Sequence, residues 1–227
     1  MLVKDWMSKN VITVDENDSM FDATKIMKKK DIRMLPVMKK GKLVGIATDR
    51  DLKRASASDA TTLEIHELMY FLSKIKVKEI MTKDPITIPS DYTMEEAAEV
   101  LLENKISGVP VVDDRGHVVG VITQTDLFKV IVSLTGLKER GIKFAFQLKD
   151  RSGSIKELAD VIRKFNGRMA AILTFYNGVK VGYRKVYIRM YNIDRSKLAQ
   201  LKEELKEKGT LLYMVDLREK EREVYAW

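Results

Sequence analysis

VKDWMSKNVITVDENDSMFDATKIMKKKDIRMLPVMKKGKLVGIATDRDL, residues 3–52, returns at residues 77–127 as VKEIMTKDPITIPSDYTMEEAAEVLLENKISGVPVVDDRGHVVGVITQTDL. The second copy opens 74 residues after the first and carries one extra residue before Gly116. A twofold repeat of this length implies two small related folds packed face to face, with related clefts between them. Each copy reads as strand, helix, strand, strand, helix. In the first, Val11 to Val14 is a short β segment and Ser19-x-x-Asp22 opens a helix in the manner of a capping box. Met20, Ala23, Ile26 and Met27 then recur at helical spacing. Leu35 to Met38 and Leu43 to Ala47 read as strands around a turn at Gly41. The second copy answers with Ile86 to Ile88, Thr93-x-x-Glu96, Met94/Ala97/Leu101, Val109 to Val112 and Val118 to Ile122. The matching apolar pairs Met7/Met81, Ile12/Ile86, Met20/Met94 and Val44/Val119 are expected in the cores.

The polar agreements are fewer: Thr13/Thr87, Thr48/Thr123 and Asp51/Asp126, with Pro36/Pro110 and Gly45/Gly120 shaping the backbone. GIATDRDL (45–52) and GVITQTDL (120–127) each end a strand and open a helix with Thr-x-x-Asp. On the residues alone, a further capping box accounts for both: threonine caps, and aspartate suits the positive helix end. A second chemistry stays open. A carboxylate can accept two neighbouring sugar hydroxyls, and a helix N-terminus offers free N–H groups to phosphate.

The chain has 227 residues, 45% of them apolar, enough for two or three compact domains with real cores. No apolar run reaches the roughly 20 residues that span a bilayer, and MLVKDWMSKN lacks the apolar stretch of a secretory signal. Cysteine is absent, which removes disulfides and thiol nucleophiles, and only His66 and His117 could supply imidazole. No Walker loop, nucleophile–base arrangement or metal-ligand spacing is present, so catalytic and metal residues are expected to be none. A cytoplasmic protein, without membrane contact, is the simple expectation. The net charge of +8 is uneven: residues 1–55 carry 13 basic and 8 acidic groups, residues 77–131 carry 5 and 10, and residues 137–227 carry 21 and 12. Most basic residues alternate with acidic ones, as in LKEELKEKG, the habit of a solvated helix face rather than of a nucleic-acid interface.

Residues 56–76 are too apolar for a flexible linker; Thr62 can cap a helix whose Leu63, His66, Leu68/Met69 and Leu72 share a side. After the apolar helix Leu127 to Leu134, Gly136 breaks the pattern and a different fold begins. Lys143 to Lys149 reads as a strand, DRSG as a turn, and Ile155, Leu158, Ala159, Ile162 and Phe165 as an amphipathic helix ended at Gly167. Met169 to Tyr176 and Lys180 to Tyr191 are expected strands joined through Asn177-Gly178, followed by a helix on Leu198, Leu201 and Leu205 and a strand from Leu211 to Leu217. The order βαββαβ is ferredoxin-like.

The repeat, with its two G-h-h-T-x-x-D endings after h-P-V-h, resembles a tandem pair of CBS domains over residues 1–131. That resemblance implies a pseudo-symmetric module with two clefts for an adenosine-containing ligand: AMP, ADP, ATP or S-adenosylmethionine. It places Thr48 and Thr123 on phosphate or ribose, and Asp51 and Asp126 on the ribose diol. Around them it implies Ile12, Thr13, Ile32, Arg33, Met34, Pro36 and Arg50 from the first copy, and Ile86, Thr87, Ile106, Ser107, Val109 and Pro110 from the second. Arg50, Arg33, Lys53 and Arg54 stand where the second copy has Thr125, Ser107, Phe128 and Lys129, so the phosphates are expected on the first copy. The strand–DRSGSI–helix turn resembles that of ACT domains, with Ser152 in place of the usual proline. It implies an amino-acid site at Asp150, Ser152, Gly153, Ser154 and Ile155, at an interface between two such domains.

The whole chain is similar to CBS–ACT proteins of the acetoin-utilisation AcuB type. The expected class is therefore α/β (α+β): CBS repeat 1 at 1–55, a helical insert at 56–76, CBS repeat 2 at 77–136, an ACT-like domain at 137–220 and a tail at 221–227. The expected role is a non-catalytic, homodimeric regulator of a partner enzyme. The competing reading is a scaffold with degenerate clefts.

Overall fold

The computed structural model describes residues 1–57, 70 and 72–225. They form two compact units, Met1–Phe128 and Lys129 onward. In the first unit α1 (Val3–Trp6), β1 (Val14–Asp15), α2 (Met20–Lys30), β2 (Met34–Lys39), β3 (Lys42–Thr48) and α3 (Asp49–Ala57) make one copy. The other is α4 (Val77–Ile80), β4 (Thr82–Lys83), β5 (Ile88–Pro89), α5 (Met94–Glu103), β6 (Gly108–Val112), β7 (Val118–Thr123) and α6 (Gln124–Leu134). In each, a short strand runs parallel to the first arm of an antiparallel hairpin: β1 beside β2–β3, and β5 beside β6–β7.

The copies exchange their N-terminal segments. β4 pairs with β3, Thr82 opposite Ile46, while Ser8 pairs with Val121 of β7. The exchange is repeated bond for bond. Val3 N–H donates to Tyr92 O and Met94 N–H to Met1 O; Val77 N–H donates to Asp18 O and Met20 N–H to Ile75 O. Gly45 and Gly120 are required by this packing. A Cβ on Gly45 would lie 2.5 Å from Met81 Sδ, and one on Gly120 would lie 2.3 Å from Met7 Sδ. The matched Met7/Met81 pair is therefore the knob each copy lays against the other's glycine, and both side chains are only half-buried.

Met20 and Met94 are in the cores as expected. Ile12 and Val44 are half-buried and pack against the first copy's core; Val119 is half-buried and Ile86 is 40% exposed, which corrects the core expectation for Ile86. Ile86 precedes the parallel pairing that begins at Ile88, so no neighbouring strand covers it. The insert helix expected from Thr62, with Leu63, His66 and Leu68/Met69, lies outside the described residues; residues 72–74 are helical.

The second unit runs β8 (Ile142–Lys149), α7 (Ser154–Lys164), β9 (Arg168–Phe175), β10 (Tyr183–Tyr191), α8 (Leu198–Lys206), β11 (Thr210–Asp216) and β12 (Glu221–Val224). Its sheet has the order β12-β11-β8-β10-β9 with every adjacent pair antiparallel, the split βαβ plan with one strand added. Phe144, Phe146 and Leu148 of β8 meet Leu158 and Ile162 of α7 and Leu201 and Leu205 of α8 in one core. Two expectations are corrected. Residues 221–224 are a strand, not a tail, hidden from pattern reading because Glu-Arg-Glu-Val is mostly charged, as edge strands often are. β10 starts at Tyr183 rather than Lys180, because the turn at Asn177-Gly178 is followed by a second turn at Lys180–Tyr183, with Gly182 at φ +81°.

Candidate functional site

Each Thr-x-x-Asp lies at a strand-to-helix junction. Thr48 Oγ1 and N–H donate to Asp51 Oδ2 at 2.6 and 2.9 Å; Thr123 Oγ1 and N–H donate to Asp126 Oδ2 at 2.7 and 3.0 Å. Both aspartates therefore finish a helix end. In each copy these bonds engage one carboxylate oxygen, Oδ2; for the half-buried Asp51 the cap and a contact through Oδ1 are geometrically compatible. Asp51 is half-buried, and Asp126 is 4% exposed.

The segment entering each hairpin is tied to this junction. Asp49 N–H donates to Arg33 O at 3.1 Å, and Gln124 N–H donates to Ser107 O at 3.0 Å. Arg33 is thus brought next to the Asp49-Arg50-Asp51 turn, and Ser107 next to Gln124-Thr125-Asp126. Arg33, Arg50 and Ser107 are exposed. Gln124 Nε2 also reaches Ile106 O at 3.3 Å. The copies meet at Gly108, a residue the sequence reading passed over. A Cβ there would lie 3.1 Å from Thr123 Cγ2 and 3.2 Å from Met34 Cε, so first-copy Met34 stands beside the second-copy motif. The signal that could have found Gly108 is its place at the start of β6, in register with Thr123.

Thr13 and Ile86 are exposed, while Ile12, Ile32, Ile106 and Thr87 are half-buried around the same extended segments. Pro36, Val109 and Pro110 are buried inside the hairpins, so they shape the backbone rather than present side chains. Among the described residues no cluster of three or more His, Cys, Asp or Glu side chains could hold a metal ion, and no helix is long and apolar enough to cross a membrane.

In the C-terminal unit the turn before α7 is closed on itself. Gly153 is at φ +85°, open to solvent, and Ser154 Oγ donates to Arg151 O at 3.0 Å. Arg151 pairs with Glu157 at 2.7 Å, and that hydrogen bond holds the Glu157 carboxyl below its ordinary range. Arg184 was missed from sequence. It reaches this turn from β10, donating to Ser154 Oγ at 2.9 Å, with its Nε 3.4 Å from Asp150 Oδ1. That Nε is buried without a hydrogen bond.

Comparison with known proteins matches residues 3–58 and 77–133 to the CBS domain family. An uncharacterized Methanocaldococcus jannaschii protein, MJ1426, is 32% identical over 155 residues, 58% of this chain and 92% of the relative. The chain belongs to the CBS-domain family. The CBS pair is also 39% identical over 130 residues to the L-aspartate semialdehyde sulfurtransferase of the same organism, covering 57% of this chain but 23% of the enzyme. Among solved structures, the CBS domain pair of protein MJ0100, in complex with 5'-methylthioadenosine and S-adenosyl-L-methionine, is 38% identical with a TM-score of 0.50. That match covers 58% of this chain and 95% of the solved one. A CBS-domain structure, NE2398, matches at 32% identity and a TM-score of 0.51, covering 59% of this chain and 98% of its own.

Proposed function

We propose that this chain is a non-catalytic regulatory protein whose CBS pair binds an adenosine-containing ligand and whose C-terminal unit passes the signal on. The observation that carries this is the duplicated Thr-x-x-Asp junction, in which both bonds from threonine fall on one carboxylate oxygen. The ligands named for the related MJ0100 pair share an adenosine-derived part, consistent with a ribose diol being the recognised group. Asp51 and Asp126 would accept the diol, and Arg50 and Arg33 would hold phosphate where the ligand carries it. Ile86 and Met34 offer apolar surface to the base.

The ferredoxin-like strand order of the C-terminal unit supports reading it as an ACT-like domain, whose Asp150–Ile155 turn would take an amino acid. Arg184 would supply the cation for the carboxylate. A homodimer of CBS–ACT type acting on a partner enzyme fits this arrangement. The mechanism would be differential affinity: a ligand that favours one arrangement of the pair shifts the population, and one that binds both equally shifts nothing.

Thermal unfolding with AMP, ADP, ATP, S-adenosylmethionine and 5'-methylthioadenosine tests the reading. A ligand at 100 times its dissociation constant adds about 2.7 kcal/mol, on the order of 5–10 °C for a chain of this size. No shift with any of the five would favour the scaffold with degenerate clefts.

A further inference from the structure

The sheet of the C-terminal unit is covered by α7 and α8 on one face, and on the other it carries a cavity of about 590 Å³. The register explains its shape. Across the sheet, Val224, Tyr213, Ala145 and Tyr187 stand opposite one another on β12, β11, β8 and β10. Ala145 is fully buried beneath this face, and the two tyrosine rings on either side of it stand with centroids 6.3 Å apart. One row along, Arg222, Val215 and Lys143 are in register. The Lys143 ammonium lies 5.1 Å from the Tyr187 ring and 5.8 Å from the Tyr213 ring, a position fixed by cation–π attraction.

The charge of the cavity is one-sided. Lys143, Lys185 and Arg222 line it, and no carboxylate does. None of the three makes an ion pair among the described residues, unlike Arg151, Lys156, Lys164 and Lys202 of the same unit, which are paired at 2.9 Å or closer. Burial, and then the neighbouring Arg189 guanidinium, pull the Lys143 ammonium below its ordinary range. Arg189 itself is committed, donating through Nε to Thr135 O at 2.7 Å. An unneutralised, partly desolvated lysine between two aromatic rings is what an organic anion would relieve. The cavity volume suits one or two rings, and the rings present apolar faces for them to lie against.

We infer that this open sheet face is a binding site for a small aromatic anion, its ring against Tyr187 and Tyr213 and its carboxylate or phosphate among Lys143, Lys185 and Arg222. Its lining residues all belong to the C-terminal unit and include none of residues 150–155. β12 supplies one wall, so the added strand completes the cup rather than merely lengthening the sheet.

Isothermal titration of the full chain with phenyl phosphate and with phenylacetate tests it, beside benzyl alcohol and benzylammonium as uncharged and cationic counterparts. Saturable binding of at least one anion, more than tenfold tighter than either counterpart, is expected; whichever anion binds better identifies the head group. Lys143→Gln and Arg222→Gln should each weaken that anion at least threefold. Arg222 is on an exposed edge strand, so its variant keeps the test valid even where Lys143→Gln perturbs folding. Benzyl alcohol binding as well as the anions, or both variants retaining full affinity, would overturn the site. So would loss of anion binding in Arg50→Ala, which would put the anions in the CBS clefts.

Discussion

The first CBS repeat carries Arg33 and Arg50 around its Thr48–Asp51 junction; the second carries Ser107 and Thr125 around Thr123–Asp126. The backbone frames are alike, with the same cap, the same tie from the helix entry to the hairpin and the same exchanged segment. What diverges is the charge set on that frame. Duplication has kept the hydrogen-bonded skeleton twice over and specialised the side chains that face outward from it. The repeats should therefore behave alike where packing is perturbed and unlike where an anion is offered.

The largest expected effect tests the packing side of this comparison. Gly45→Ala should destabilise the CBS pair by about 1–3 kcal/mol, the usual penalty for forcing a methyl group into a packed contact. Besides Met81, its Cβ would meet the backbone oxygen of Thr82 at 2.9 Å. Gly120→Ala should cost less, because its three nearest neighbours all belong to the flexible Met7 side chain. Urea unfolding of both variants checks the order, and a Gly120→Ala penalty above that of Gly45→Ala would break the account.

Next comes the charge difference. Arg50→Ala should weaken ATP at least tenfold, about 1.4 kcal/mol, whereas Thr125→Ala should change it less than twofold. Equal losses in fluorescence or calorimetric titration would mean that the second repeat carries phosphate equally.

The smallest effect is a pH dependence of the helix that opens at Met94. The backbone and side-chain hydrogen bonds from Thr93 hold the Glu96 carboxyl below its ordinary range. A depressed carboxylate contributes stability that is present above its unfolded value and lost as pH falls through the folded one. Amide exchange at Thr93 and Glu96, corrected for intrinsic rates, should accelerate over that acid window, and Glu96→Gln should remove most of the change.

The repeat made most of the N-terminal fold legible in the sequence, because strand alternation, helix spacing and capping residues agree at each step in both copies. It could not reveal that Met7 and Met81 cross over to the opposite repeat, since a matched methionine looks the same whether it packs at home or away. Nor could it give Gly108 a role, which depends on Met34 arriving from the other copy. In the C-terminal half the apolar periodicity showed the two helices and four strands. β12 escaped because a short edge strand of charged residues has no apolar signature, and Arg184 escaped because only the fold brings it to a turn some thirty positions away. The Thr-x-x-Asp pairs were legible as caps; whether the same carboxylates also hold a sugar is a separate question that local pattern does not decide.

Asp51→Asn and Asp126→Asn address that question most directly. Asparagine keeps an oxygen for the threonine donors, so the cap survives, while the other carboxylate oxygen becomes an N–H donor that cannot accept a ribose hydroxyl. Calorimetric titration of the double variant with S-adenosylmethionine and AMP, alongside unfolding curves, is the measurement. The account predicts near-native stability with adenosyl-ligand affinity lowered at least tenfold. Native affinity in a stably folded double variant would contradict it, leaving both aspartates as helix caps alone.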